Sequence, residues 1–187
     1  AIDPITIAAE IIGAIQTIIS RMTSPNESAV LSITKMHAGD AYNVIPESAM
    51  LSGTVRTFAI DKMQEIERQM ISISEGISKA HGGTALVEFN TLFLPVLNEK
   101  EATDLATEVC RDMVGQDNVT TTGSAGTGSE DFSFMSNEVP GCYVIIGNGE
   151  DSNALHNPNF DFNDKALVYG GSFFARVIEK ELALDQV

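Results

Sequence analysis

The sequence predicts a chain of two halves, the first α+β and the second α/β. Three observations lead to this prediction. The first half orders its elements as helix, strand, strand, helix, strand, and the second half holds a near-continuous apolar run between helices. Residues 1–92 carry six basic and ten acidic side chains, a net charge of −4, whereas residues 93–187 carry five and sixteen, a net charge of −11. We therefore divide the chain at residues 92 and 93.

The first predicted helix begins at Asp3-Pro4, where an N-cap residue precedes a proline in the first helical position. Apolar residues then recur every three or four positions, the spacing of one helix face, until Pro25 ends the pattern. A strand is predicted over residues 29–37. A second strand around residues 48–56 alternates apolar and polar side chains and carries Arg56 on its polar face.

A second predicted helix begins near Asp61 and Gln64, which form a possible capping box. A third strand is predicted over residues 85–90, where apolar and polar residues alternate. A split βαβ (ferredoxin-like) layer reads β-α-β-β-α-β, so this order lacks only the first strand. We expect the chain to begin inside a domain, after that strand. The alternative is a small domain that begins with a helix.

The second half begins with another possible capping box, Asn98 and Glu101, ahead of an amphipathic helix. The apolar run Cys142–Ile146 suits a strand covered on both faces. A long loop over residues 147–163 then precedes a last helix over residues 164–184. The glycine-rich segment 123–129 favours a flexible loop, because it lacks the Gly-Lys-Ser/Thr ending of a phosphate-binding P-loop.

The net charge of −15 and the pI near 4.4 argue against nucleic acid or an anionic membrane as a partner. The Ile-rich start is interrupted by polar side chains such as Glu10 and Arg21, so it is too polar to span a bilayer. Two cysteines cannot form a disulfide framework, and no segment reads as a signal peptide. A reducing cytoplasm is therefore the expected location.

Several residues could carry chemistry, each with a structural alternative. His156 lies in the long loop and is either a metal ligand or a solvated histidine. Arg56 either clamps a carboxylate or faces water, and Asn43 is either a turn former or a donor to a substrate carbonyl. Glu130 and Asp131 are either ligands or an acidic turn. The three histidines exclude a multi-metal site built from histidines alone.

Five segments carry distinctive motifs. They are Ala1–Pro4, His37–Pro46 (H-x-G-x-A-x-N-V-I-P), Leu51–Phe58, Gly128–Phe132 (G-S-E-D-F) and His156–Phe162 (H-x-P-x-F-D-F). Together they resemble the aminoacylase, hippurate hydrolase and auxin-conjugate amidohydrolase group of family 20 metallopeptidases, and they follow that family's order and approximate spacing along essentially the whole chain.

The resemblance implies a zinc-peptidase-like α/β catalytic domain with an inserted α+β lid that pairs subunits. It implies two divalent metal ions (zinc, manganese or similar) held by Cys, His and Glu side chains. By this likeness His156 is the last metal ligand, Arg56 binds the substrate carboxylate, and Asn43 supports that carboxylate or the oxyanion. Glu130 and Asp131 belong to the pocket or lie behind the ligands.

His37 is matched as well and is taken as a further substrate-binding residue. The family's N-terminal catalytic half, which carries the other metal ligands and the general base, has no counterpart in this sequence. Residues 1–92 are thus expected to form an incomplete lid (dimerisation) domain. Residues 93–187 are expected to form the C-terminal part of the catalytic domain. No catalytic residue is assigned to this chain.

The intact enzyme is predicted to hydrolyse the amide bond of N-acyl amino acids or small peptides, as a homodimer paired through the lid. Metal activation of water needs several fixed ligands, so this chain alone is predicted to be inactive and to hold no metal tightly. The missing N-terminal half is a possible partner. The alternative is a non-catalytic dimerisation or binding module derived from the family.

Overall fold

The computed structural model describes residues 1–123 and 128–182, which form five α-helices, a two-stranded sheet and one short 3₁₀ turn. A part of the glycine-rich segment and the predicted end of the last helix near Leu184 lie outside the described residues. In chain order the elements are α1 (Pro4–Arg21), β1 (Ala29–Ala38), β2 (Ala49–Thr57), α2 (Ile60–Ala80), α3 (Lys100–Val114), the 3₁₀ turn Gln116–Asn118, α4 (Phe132–Glu138) and α5 (Lys165–Glu181).

The described chain divides into two compact units, the first essentially Ala1–Pro95 and the second beginning at Val96. The first unit packs α1 and α2 on one face of the sheet formed by β1 and β2. Its core consists of branched aliphatic side chains from three elements, as the helical spacing predicts. The buried members are Ile7, Ile11, Ile15, Ile18, Leu31 and Ile66.

Strands β1 and β2 pair antiparallel, from Ala29 opposite Thr57 to Ala38 opposite Ala49. The register shifts between Ile33 and Lys35, which places one extra residue in β1 as a bulge. Gly53 lies opposite this point, and a Cβ atom there would overlap the Ser32 carbonyl oxygen. Both strands were predicted, and the bulge was not.

The prediction of a third strand at residues 85–90 is wrong. These residues have no ladder partner among the described residues. Their side chains nevertheless alternate in burial, with Ala85, Val87 and Phe89 half-buried and the residues between them exposed. The sequence pattern thus predicts which side chains face inward. A strand also requires a neighbouring backbone that accepts and donates its hydrogen bonds.

The prediction of a strand at Cys142–Ile146 covered on both faces is also wrong. This run is not paired as a strand, and Ile145 is 83% exposed. Helix α5 has no buried residue, although Leu167 and Phe174 are among its many apolar side chains. Cys142 and Val144 are half-buried, whereas Tyr143, Ile145 and Ile146 are exposed, so the described elements do not cover both faces of the run.

The helix caps differ in part from the predicted ones. Asp3 caps α1, its carboxylate accepting a backbone N–H at 2.9 Å, as predicted. Helix α2 is preceded by Ala59 without a side-chain cap, so the capping box at Asp61 is wrong. Helix α3 is capped by the Glu99 carboxylate and not by Asn98. None of the described helices is long and apolar enough to cross a bilayer.

Candidate functional site

The loop between β1 and β2 carries two of the predicted substrate-binding residues. His37 is the penultimate residue of β1 and lies opposite Met50 of β2. Gly39 follows with φ +73°, a conformation that glycine adopts without strain, and the chain then turns through Asn43, which is exposed. This loop lines a cavity of about 430 Å³ that includes His37, Asp40, Val44 and Glu47.

Arg56 lies near the far end of β2, opposite Val30. Residues opposite each other on paired strands point to the same face, and Met50 and Arg56 are an even number of positions apart. His37 and Arg56 therefore share the exposed face of the sheet. Six strand positions separate them, a distance of about 20 Å at 3.3 Å per residue. Side chains so far apart do not contact the same carboxylate group.

The bulge in β1 is the reason that His37 shares this face. Val30 and His37 are seven positions apart, and an odd separation in a regular strand puts two side chains on opposite faces. The extra residue at the bulge reverses the alternation once. Alternation read along β1 alone does not reveal this change. The glycine at position 53 of the partner strand was the available signal.

Glu130 and Asp131 precede α4 in the second unit, and Glu130 has a specific partner. The Tyr143 hydroxyl donates a hydrogen bond to Glu130 Oε2 at 2.7 Å, and the Tyr143 ring lies 5.6 Å from that of Phe132. The hydrogen bond from Tyr143 is the main reason that the pKa of Glu130 is lowered, and the same bond raises the pKa of Tyr143. Asp131 is exposed.

The backbone of Tyr143 is in turn held by Asn98, which was predicted to belong to a helix capping box. The Asn98 amide accepts the Tyr143 N–H at 2.8 Å and donates to the Tyr143 carbonyl at 3.1 Å. The Glu99 N–H donates to the Gly141 carbonyl at 2.9 Å beside it. Asn98 and Tyr143 are 45 residues apart, so no local pattern could have linked them to Glu130.

His156 lies in the loop between residue 147 and α5, and its side chain is exposed. Its φ of +67° makes it the single non-glycine residue with a positive φ among the described residues. No hydrogen bond within the described part of the chain involves its imidazole. A ring nitrogen is thus available to a ligand from outside this loop.

The predicted residues form two separate groups. His37, Asn43 and Arg56 belong to the first unit, and Glu130, Asp131 and His156 belong to the second. Among residues 1–123 and 128–182, no three His, Cys, Asp or Glu side chains are grouped closely enough to hold a metal ion. These residues therefore offer individual ligands and contacts, but not a complete metal centre.

Comparison with known proteins places these features in a family. The model of peptidase family M20/M25/M40 matches residues 5–180, nearly the whole chain. The chain belongs to this family. Its M20 membership agrees with the resemblance carried by the five sequence motifs.

Two curated M20 relatives show how far the likeness extends. The chain is 33% identical over 178 residues to N-acetylcysteine deacetylase of Bacillus subtilis, covering 95% of this chain and 46% of that protein. It is 34% identical over 180 residues to hippurate hydrolase of Campylobacter jejuni, covering 96% of this chain and 47% of that protein. The chain thus spans about half the length of the curated relatives it matches.

A solved M20 structure gives the same result for the fold. The Bacillus subtilis YxeP protein, described as a dinuclear metal-binding peptidase of the M20 family, aligns with a TM-score of 0.79 and 31% identity. The alignment covers 94% of this chain and 45% of that one. The mixed helix and sheet architecture is therefore that of an M20 protein.

Proposed function

We propose that this chain is part of a metal-dependent amidohydrolase that cleaves the amide bond of N-acyl amino acids or small peptides. Family membership over residues 5–180 supports this proposal, as do the names of the deacetylase and hippurate hydrolase relatives. The observation that carries it is the series of five family motifs in register, which ends at an exposed His156 with its imidazole available. Residues 1–92 act as the lid and residues 93–187 as part of the catalytic domain in this proposal.

The proposed metal site is shared between this chain and another segment. His156 fits one ligand position, because its ring is exposed and has no hydrogen bond among the described residues. No described cluster fits a whole dinuclear centre. Two divalent ions, such as zinc or manganese, activate water when bound in sites of this kind. We expect this chain alone to hold such ions weakly and to be inactive.

Arg56 is proposed to bind the substrate carboxylate, because its guanidinium can donate two parallel hydrogen bonds to a carboxylate. His37 is proposed to contact the substrate at the other end of the same sheet face, and Asn43 to contact it from the loop that follows β1. A small N-acyl amino acid does not span the 20 Å or so between His37 and Arg56. We therefore assign His37 and Arg56 to different active sites of a homodimer paired through this unit.

Glu130 and Asp131 are proposed to line the pocket of the catalytic domain. The Tyr143 hydroxyl holds the Glu130 carboxylate and lowers its pKa, so the group is an anion at neutral pH and stays one into more acidic solution. A fixed anion of this kind suits the orientation of a neighbouring ligand or a bound substrate group better than proton transfer. Asn98 and Tyr143 thus act on the site through Glu130.

The exposed apolar surface of the second unit supports the proposal of a covering segment. Ile145, Ile146, Val168, Phe174 and Ile178 are between 47% and 83% exposed, although helix α5 is amphipathic enough to pack. Large contiguous apolar patches are rare on monomeric proteins and mark interaction surfaces. We propose that the half of the family's length not matched by this chain covers this surface and supplies the remaining metal ligands.

The test is hydrolysis by the longest reading frame that contains this chain, with hippurate and N-acetyl amino acids as substrates and Mn²⁺ or Zn²⁺ added. We expect the complete protein to be active and the 187-residue chain to be inactive. His156→Ala should lower kcat/KM at least 100-fold and Arg56→Lys should mainly raise KM. His81→Ala and Arg21→Lys are the matched controls. Metal-dependent hydrolysis by the 187-residue chain would contradict the proposed division of the site.

A non-catalytic dimerisation or binding module is the second candidate. The observation that favours it is the first unit, which has a core of its own, whereas the described residues hold no metal cluster. The same experiment separates the two candidates. A reading frame without the family's first half, and without hydrolysis, would favour the module.

A further inference from the structure

The loop that carries His156 is closed at its base by two asparagines. Asn148 Nδ2 donates to Ser152 Oγ at 2.6 Å and to the Asp161 carbonyl at 2.7 Å. The Asn163 N–H donates to Asn148 Oδ1 at 2.8 Å, and Asn163 Nδ2 donates to the Asn148 carbonyl at 3.2 Å. These two residues, named here the Asn148–Asn163 clasp, join the first and last positions of a 16-residue segment.

A second connection lies nearer to the apex. Asn153 Nδ2 donates to the Asn159 carbonyl at 3.0 Å, across the residues that include His156. The Asn159 N–H donates to Asn157 Oδ1 at 2.9 Å, and the Phe160 N–H donates to the Asn157 carbonyl at 2.9 Å. The chain immediately after His156 is thus a hydrogen-bonded turn. The loop contains little regular structure. Hydrogen bonds from asparagine side chains connect its two arms, where a β-hairpin would have backbone hydrogen bonds.

The backbone of His156 has a conformation that is uncommon for a residue with a side chain. Its φ of +67° is unfavourable for a residue with a Cβ atom and persists only where the surroundings fix it. Its side chain has no hydrogen bond among the described residues, so the support comes through the backbone of the loop. Asparagine suits this task because one amide both donates and accepts.

We propose that Asn148 and Asn163 are positioning residues for His156. By closing the base of the loop, they hold the backbone of His156 in its positive-φ conformation before any metal or substrate arrives. That this positioning matters for activity rests on the proposed function, in which His156 is a metal ligand. The inference itself concerns the order of the loop, which can be measured in the 187-residue chain without metal.

The experiment compares Asn148→Ala, Asn163→Ala and Asn148→Asp in the 187-residue chain by amide hydrogen exchange and NMR. We expect Asn148→Ala, which removes the acceptor of the residue-163 N–H, to lower the protection of the Asn163 and Phe160 amides about tenfold or more. Asn163→Ala keeps that N–H and loses only the hydrogen bonds of its side chain, so its main effect should be on the Phe160 amide. We also expect the His156 Cα and Cβ shifts to move toward unfolded values. Asn148→Asp keeps the acceptor for the Asn163 N–H and loses both donors, so its loss should be intermediate.

Asn118→Ala is the matched control, because the Asn118 amide donates a comparable bond to the Val114 carbonyl at 2.8 Å in the same unit but outside the loop. It should leave the loop amides and the His156 shifts unchanged. If the clasp variants behave like Asn118→Ala, or if all of them lower protection equally throughout the unit, the inference is wrong.

His156→Ala distinguishes the role of the clasp from the proposed role of His156 as a metal ligand. His156→Ala should leave the order of the loop unchanged, since its side chain has no hydrogen bond in the described residues. If that variant also leaves the hydrolysis rate of the complete protein unchanged, the role of His156 as a ligand fails while the clasp stands. If the loop is disordered in the unsubstituted chain, the clasp fails while the ligand role stands.

Discussion

The two compact units of this chain are of similar length but differ in how they bury apolar surface. The first unit encloses six aliphatic side chains between two helices and a sheet, and Ile18 and Ile66 are fully inaccessible. In the second unit the buried apolar side chains among the described residues are Ala106 and Val109. A chain can belong to a family although one of its units does not bury a large apolar core of its own. The burial of apolar side chains in the first unit is typical of a domain that folds by itself. The exposure of apolar side chains in the second unit is typical of a surface that another segment covers.

Hydrogen exchange of the intact chain is the strongest test of this contrast. Amides of α1 and α2 next to the core should open only with unfolding of the whole unit, whereas those of α5 should open locally. We expect protection in α1 and α2 to exceed that in α5 about a thousandfold. The measurement is exchange followed by mass spectrometry of peptides from each helix. Equal protection in α5 would contradict the contrast.

A matched pair of isoleucines tests the same contrast by stability. Ile66 is fully buried in α2, and Ile178 is 57% exposed in α5. Ile66→Ala should lower the free energy of unfolding by about 2–5 kcal/mol, because it leaves a cavity in the core. Ile178→Ala should change it by less than about 0.5 kcal/mol. Urea unfolding of the purified variants gives both values, and similar losses for the two would disprove the asymmetry.

A pair of glycines tests the sheet that holds the site residues. Gly53→Ala places a Cβ atom against the Ser32 carbonyl oxygen and should cost about 1–3 kcal/mol. Gly76→Ala in α2 meets no atom within 4 Å and should stabilise the unit by about 0.4–1 kcal/mol. Thermal unfolding distinguishes the two signs. A stabilising Gly53→Ala would mean that the bulge is absent.

The smallest effect is expected in the second unit, at Tyr143→Phe. The bond from Tyr143 lowers the pKa of Glu130 below its ordinary value of 4.5. A lowered carboxyl pKa adds stability above pH 4.5 that is lost as the pH falls through the folded value. Tyr143→Phe lacks the stability that comes from this bond, so its Tm should be slightly lower at pH 7 and should approach that of the parent as the pH falls below 4.5 and Glu130 becomes protonated. Tyr169→Phe in α5 is the control, and a Tm gap that widens on acidification would contradict the assignment.

The elements that the sequence predicted correctly are those encoded by local spacing. The stripe of α1, its Asp3 cap, the β-forming residues of β1 and the alternation of β2 are each visible within a single segment. The predictions that failed needed a second segment. Residues 85–90 have strand-like facing but no ladder partner in the part of the chain that the structure describes. Cys142–Ile146 has the composition of a buried strand, but Tyr143, Ile145 and Ile146 are exposed.

The candidate site follows the same division. His37, Arg56, Glu130 and His156 are proposed as site residues from contiguous motifs, and their roles stay predictions. Their surroundings were not found, since the Tyr143 contact with Glu130 spans 13 residues and the Asn148–Asn163 clasp spans 15. The bulge that turns His37 onto the face of Arg56 was hidden as well, because it is visible only in the pairing of two strands.

The exposed apolar side chains of the second unit affect the solubility of this chain at high concentration. They lie on the more acidic half of the chain, whose net charge of −11 makes neighbouring molecules repel at neutral pH. Repulsion of this kind is screened by salt and vanishes near the pI of about 4.4. The chain is thus kept dispersed by its charge, and mild acid or high ionic strength should cause it to precipitate.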